Sequence, residues 1–508
     1  MRRVIGIVAV SIVIAIGLAA AGAARFLSGN GVRDAIEGQA SEWLGQRVRV
    51  ASARVRVWPR LAVRLSDVRI GDPVRARLNE VDVSASPLAL ISRRVEEAEL
   101  RVRNTRVDLP LALPAPGPGP SGPAATNGGP SGGADSSAAF RIVSVNAIAL
   151  ENVTLVSQGR ELRLSARSSL VQSRLLVREL TAESGGTSMR ATGTILLGPR
   201  VDADLRLEAN RLDVDELLVL AAAFLPGPGS GPAAASGASP RLKATVTADT
   251  ARAAGVDARR FTTVMTVDND RVSLSPLAFE FFGGGYRGDV QARLGAQPTA
   301  TVRAQVSNID VAQVAAFGNA GNTATGRLSG SATVSGSGAD LEGILAGARG
   351  SGSISIADGS LARLGLVRSV VLFFGRPEAN APPSTDRFDR LDARFALQGG
   401  VLRADSLELH SADMDTAGTG SLDLNGQALA GQMKVTLSEG LSTQAGTDLR
   451  RYTREGSRVV LPVKVGGTLS MPRVSIDAAA ALRRGVRNEV EDRAKGLLDR
   501  FLRGNQGP

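Results

Sequence analysis

The sequence predicts a mainly β protein carried behind an N-terminal transmembrane helix. Three observations predict it. Apolar residues alternate with polar ones over most of the chain, one long pattern recurs at a fixed offset, and the first charge-free run is long enough to cross a bilayer. Alternation at period 2 gives strands with one apolar and one wet face. A long-period repeat implies units that bury their apolar faces side by side.

The opening "MRRVIGIVAVSIVIAIGLAAAGAARF" contains 21 residues without a charge, Val4 to Ala24. At 1.5 Å per residue this spans a hydrocarbon core of about 30 Å. Val4, Ile5, Ile7, Val8, Val10, Ile12, Val13, Ile14, Ile16 and Leu18 would meet the lipid. Arg2 and Arg3 precede the run, which keeps the N-terminus inside and exports the rest. The competing reading is a cleavable signal peptide, because Ala21-Gly22-Ala23 is an A-x-A-like site.

Residues 31–44 read as a short amphipathic helix (Val32, Ala35, Ile36, Gln39, Trp43) ended by Gly45. Strand patterning then begins with Val48, Val50, Val55 and Val57, crosses Trp58-Pro59, and continues with Leu61, Val63 and Leu65. Similar runs fill 78–109, 140–180, 188–208, 241–250, 260–275, 288–306, 351–357, 391–411, 418–437 and 458–477. Residues 110–139 and 225–240 are rich in Pro, Gly, Ala and Ser and read as flexible linkers or insertions. A third stretch, 318–338, is Gly-rich and a weaker interruption.

"GPRVDADLRLEANRLDVDELLVL" (198–220) lies over "GAQPTATVRAQVSNIDVAQVAAF" (295–317) at an offset of 97. Each runs a strand into a helical turn, with Asp213 and Asp310 placed as N-caps. "FFGGGYRGDV" (281–290) holds a formal G-x-G-x-x-G, but strands flank it on both sides. A dinucleotide loop needs a helix after it, so these glycines are read as a hairpin turn. At the far end, residues 481–504 place Leu482, Val486, Val490, Leu497 and Phe501 on one face of an amphipathic helix. That helix either caps the last strands or touches a membrane or partner.

Composition narrows function. Zero Cys excludes disulfides and thiolate chemistry. A net charge of +11 suggests nucleic acid, yet the basic residues alternate with apolar ones and only 3% of the chain is aromatic, too little for base stacking. Nucleic acid is therefore not an expected partner. The single His, His410 in "LELHSAD", lies at a strand end and reads as a wet surface residue, and the G-x-S-x-G at residues 129–133 lies in linker-like sequence rather than in a strand-to-helix elbow. The pairs Asp213/Asp215 and Asp413/Asp415 lack calcium-loop spacing and read as caps and turns. No catalytic, metal or cofactor residues are assigned, and the chain is expected not to be an enzyme.

Motif order adds a resemblance. "VRVASARVRVWPRLAVRLSDVRIGDP" (48–73), the module at 388–437 with Gly400-Val401-Leu402 and "GTGSLDL", and the closing "LPVKVGGTLSMPRVSID" (461–477) together resemble the AsmA family of bacterial envelope proteins. The resemblance implies an elongated, curled antiparallel β-sheet forming a groove, and a single-pass inner-membrane protein with its bulk in the periplasm. It also implies a role in outer-membrane homeostasis, with phospholipid or another acyl lipid, the inner membrane and an envelope protein as partners. Burying a CH₂ is worth about 0.8 kcal/mol, so an aliphatic groove would carry acyl chains across water without a cofactor. Val48, Val50, Leu61, Val63, Leu65, Leu205, Leu207, Leu422 and Leu424 are the candidates for its lining, an ordinary packed core being the alternative. A scaffold or assembly factor for outer-membrane proteins is the competing function. The implied organisation is an anchor (1–24), an N-terminal β module (25–109), a linker (110–139), β-repeats (140–224), an insertion (225–240), further repeats with the C-terminal module (241–477) and a helical tail (478–508).

Overall fold

The computed structural model describes residues 33–494 with gaps, the longest at 86–93, 110–140, 218–240, 362–386 and 445–452; residues 1–32 and 495–508 also lie outside the described residues. The chain divides into two compact units, Met1–Phe261 with Met265–Asn269, and Thr262–Val264 with Asp270–Pro508.

The first unit holds β1 (Val48–Arg56), β2 (Leu61–Ile70), β3 (Ala76–Ala85), β4 (Arg94–Val95), β5 (Ala98–Asp108), β6 (Arg141–Ile142), β7 (Ser144–Ser157), β8 (Arg160–Val171), β9 (Arg174–Ser184), β10 (Thr187–Leu196), β11 (Asp202–Asp213) and β12 (Arg241–Ala253). The ladder runs β1-β2-β3-β5-β7-β8-β9-β10-β11-β12, with β4 and β6 forming a separate two-residue pair. Two of its pairings, β5–β7 and β11–β12, are parallel. Parallel neighbours need a connection long enough to return the chain to the same end of the sheet. Residues 109–143 and 214–240 make those returns, so both Pro/Gly-rich stretches lie inside crossovers of one sheet.

The apolar parity of this unit is packed. Val48, Val50, Val63, Leu65, Leu78, Leu100, Val102 and Ile148 form one buried cluster, and Val177, Ile195, Ala203, Leu205 and Ala244 form another. Ahead of β1, Glu37, Gly38, Ala40 and Ser41 are helical, and Ala40 is buried in the first cluster. Ser41 Oγ accepts a hydrogen bond from the Val48 amide at 2.9 Å, and Glu37 Oε1 accepts one from the Val50 amide at 2.6 Å.

β13 (Val256–Asp268) spans the division between the units. The second unit holds β14 (Arg271–Phe281), β15 (Gly284–Arg293), β16 (Thr299–Asp310), α1 (Val311–Phe317), β17 (Thr325–Ser337), α2 (Leu341–Ala346), β18 (Arg349–Ser360), β19 (Arg387–Gln398), β20 (Val401–His410), β21 (Met414–Asp423), β22 (Leu429–Leu437), α3 (Glu439–Gln444), β23 (Arg454–Glu455), β24 (Arg458–Gly467) and β25 (Pro472–Ile476). β14 to β22 pair in order, all antiparallel, and β24 joins β22 to β25. Its core gathers at one end, where Phe388, Leu409, Met414, Val435, Val459, Leu461 and Val463 are buried together.

Several expectations meet the structure directly. β11 and β16 are offset by 97 residues along their whole length, and Asp213 and Asp310 cap the turns after them. The β14–β15 turn is Phe282-Gly283 with φ of 45° and 72°, the two positive values of a type I′ hairpin. The Gly-rich stretch 318–338, read as an interruption, contains the full strand β17, because its glycines alternate with Ser and Thr and occupy one face only.

The expected fold class needs correction. The sheet is mixed rather than antiparallel, since β5–β7 and β11–β12 pair in parallel across the segments read as flexible linkers or insertions, and in neither unit does a pairing among the described residues close the ladder on itself. Among the described residues no helix is long and apolar enough to cross a membrane. α1 has 7 residues, about 10 Å of rise against a core of about 30 Å. The single-pass inner-membrane placement therefore has no spanning helix behind it among the described residues. Val4–Ala24, the whole of the expected anchor, lies outside the described residues.

Candidate functional site

The strands β15 to β20 place polar side chains on one face and small or aliphatic ones on the other, as their alternation requires. In β17 the polar parity is Ser329, Ser331, Thr333 and Ser335, all exposed, and in β18 it is Ser351, Ser353 and Ser355. The registers align these residues into rows that run across the strands. One row is Arg287, Gln305, Ser331, Ser353, Arg394 and Ser406. The next is Asp289, Arg303, Thr333, Ser351, Ala396 and Arg403. Four strand steps separate Arg287 from Arg394, about 19 Å at 4.8 Å per step.

This face carries an open trough of about 770 Å³, lined by Arg287, Arg303, Gln305, Ser331, Thr333, Ser353, Arg394 and Asp405 among others. A second hollow of about 460 Å³ shares Ser353 and Arg394 and extends to Arg390, Asp392, Ser406 and Glu408. Glycine keeps the floor thin. A Cβ on Gly352 would stand 2.5 Å from the Ser331 carbonyl oxygen and 2.6 Å from the Phe395 ring, so only hydrogen fits there.

Charge on the face is partly neutralised. Arg303 Nη1 lies 3.1 Å from Asp289 Oδ2, and Arg390 Nε lies 2.6 Å from Asp392 Oδ2. The Arg390 guanidinium holds the Asp392 carboxyl below the usual carboxylate range, with Ser355 also donating to it. Arg287 and Arg394 are exposed and make no ion pair among the described residues. Each is a planar fork suited to a carboxylate or phosphate, and the hydroxyls between them both donate and accept.

The comparisons add no relative. No family model, no curated protein and no solved structure matches the chain. The AsmA-like motif order thus has no family model behind it, and the envelope and lipid-transport reading built on it is corrected by what the structure contains. A mostly β-sheet protein is present, and the open trough of its second unit is lined by Arg, Ser and Thr together with Ala304, Ala332, Ala396 and Phe395. Transport of phospholipid in an aliphatic groove is not supported. Val48, Val50, Val63, Leu65 and Leu205 lie in packed clusters, with Leu207 packed against the second. Leu422 is half-buried and Leu424 is 48% exposed beside a turn. Leu61 belongs to β2, its side chain outside the described ones.

Other singled-out residues fall elsewhere. His410 is exposed, with Nδ1 3.1 Å from Asp415 Oδ1, while Arg458 Nη2 lies 2.9 Å from Asp415 Oδ2. His410 foremost, and Arg458 after it, hold the Asp415 carboxyl below its usual range against the opposing effect of burial. Among the described residues no group of three His, Cys, Asp or Glu could hold a metal. Val486 and Val490 are helical and 65% and 62% exposed, whereas Leu482, Leu497 and Phe501 lie outside the described residues, as do residues 129–133. The Arg287–Arg394 row was missed in the sequence. Its available signal was Ser or Thr at every second position in "RLSGSATVSGS" and "RGSGSIS".

Proposed function

We propose that the chain is a binding protein rather than an enzyme, and that the polar face of its second unit receives an elongated anionic partner. The row Arg287–Gln305–Ser331–Ser353–Arg394 carries this reading, because it sets two uncommitted guanidinium forks at the ends of a continuous line of hydrogen-bonding groups. Charge-assisted bonds at the ends would hold the partner, and the exposed hydroxyls would replace its water. The partner class favoured is a protein of the compartment that the chain occupies.

Fluorescence anisotropy with labelled poly-aspartate tests the proposal on the full chain. Saturable, salt-sensitive binding is expected, weakened at least about tenfold in the double variant Arg287→Ala/Arg394→Ala, a loss of about 1.4 kcal/mol. The variant Arg160→Ala/Arg178→Ala, on exposed positions of the first unit, controls for the net charge of +11 and should bind as wild type. Equal weakening by both double variants would reduce the effect to bulk charge and overturn the site.

A further inference from the structure

We infer that the partner presents an extended acidic segment running across the strands, with two carboxylates six residues apart. This rests on the anionic-partner reading and specifies its ligand. An extended chain advances about 3.3 Å per residue and turns alternate side chains to opposite faces. The 19 Å between the forks, on the order of four steps of 4.8 Å, matches about six residues. Six is even, so both carboxylates face the sheet, while spacings of five or seven turn one of them away. Spacings of four and eight reach about 13 Å and 26 Å and miss one fork.

The two inward residues between the carboxylates meet Gln305, Ser331 and Ser353, which suits small polar side chains. The surrounding acids make a densely charged chain a weaker ligand than a segment with spaced charges. Asp289 sits two residues from Arg287, and Asp392, Asp405 and Glu408 border the Arg394 end. A phosphate chain laid along the row would meet them at close range, whereas a segment with neutral groups between its charges would not. Among the described residues one aromatic ring, Phe395, lines the trough, too few for successive bases to stack.

The test is competition against labelled poly-aspartate on the full chain. Two blocked serine peptides, each with two Asp residues, differ only in spacing, i,i+6 against i,i+3; inorganic polyphosphate is the third competitor. The i,i+6 peptide is expected to displace the label at a concentration at least about tenfold lower than the i,i+3 peptide. The Arg287→Ala/Arg394→Ala variant should lose that preference, and Arg394→Lys, which keeps charge but not the fork, should reduce it. Equal potency of the two peptides would overturn the six-residue spacing and leave the anionic-partner reading standing. Polyphosphate displacing the label better than either peptide, charge for charge, would overturn the acidic-segment assignment. Failure of poly-aspartate itself to bind would remove both readings.

Discussion

Residues 202–217 and 299–317 are two copies of one pattern that the chain uses in two different ways. Each begins as a strand that ends on a capping Asp and enters a helical turn. After the first copy the chain passes through residues 214–240 and returns as β12, parallel to β11. After the second it passes through α1 and residues 318–324 and comes back as β17, antiparallel to β16. The surroundings differ too. Leu205 is 6% exposed among Ile195, Ala203 and Ala244, whereas its counterpart Val302 faces Val290 and Val334 across the strands and is only half-buried. Strand and cap are local properties that both copies share; direction and burial are set by the length of the connection leaving the turn and by which neighbour arrives.

The largest effect should come from the connection. β12 begins opposite Asp202, eleven residues before the end of β11 at Asp213, so a parallel return must cover about 36 Å at 3.3 Å per residue. Shortening residues 214–240 to about eight residues, at most about 29 Å of chain, is expected to abolish the β11–β12 pair. Hydrogen exchange over residues 241–253 would read this as loss of protection. Doubling the shorter connection at 311–324 with Gly/Ser should cost only about 0.6 kcal/mol. Full protection of 241–253 in the shortened variant would show that the parallel pairing does not depend on the crossover.

Core truncation should separate the copies next. Leu205→Ala is expected to destabilise by about 2–5 kcal/mol, and Val302→Ala by under about 1 kcal/mol, in urea unfolding. Equal losses would mean that Val302 is covered in solution by something that packs as Ile195 and Ala244 pack on Leu205.

The smallest difference lies at the caps. Asp213→Ala and Asp310→Ala should each cost about 1 kcal/mol at neutral pH. The Gln313 side chain, then the backbone amides of Ala312 and Gln313, hold the Asp310 carboxyl below its usual range. A lowered folded-state value contributes stability above the unfolded value of about 3.9, and that contribution disappears as pH falls through the folded value. The gap between wild type and Asp310→Ala should therefore narrow under acid. A gap that stays constant from pH 6 to well below 3.9 would show that the Asp310 charge contributes nothing beyond its shape.

Period-2 alternation made most strands legible, because a half-buried strand writes its two faces directly into the residues. Strand direction was not legible. Nothing in the Pro/Gly composition of 110–139 or 225–240 states whether a segment ends a domain or carries the chain across a sheet. β17 was hidden for a related reason: alternating Gly and Ser remove the apolar signal while leaving the geometry intact. The arginine row was illegible because its members come from β15, β16, β17, β18 and β19 and meet only through register. The aliphatic candidates illustrate the converse. Alternation marked Val48, Val50 and Leu65 as facing one way, but only the structure shows that way to lead into a packed cluster.

The small helix ahead of β1 has a consequence for self-association. An outermost strand ordinarily offers its free amides as a template on which another chain can stack, the first step toward aggregates. On β1 the amides of Val48 and Val50 are already committed to Ser41 Oγ and Glu37 Oε1. The chain thus carries its own gatekeeper, 7 and 13 residues upstream of the amides it guards. Variants at Glu37 or Ser41 would convert a terminated sheet margin into an adhesive one.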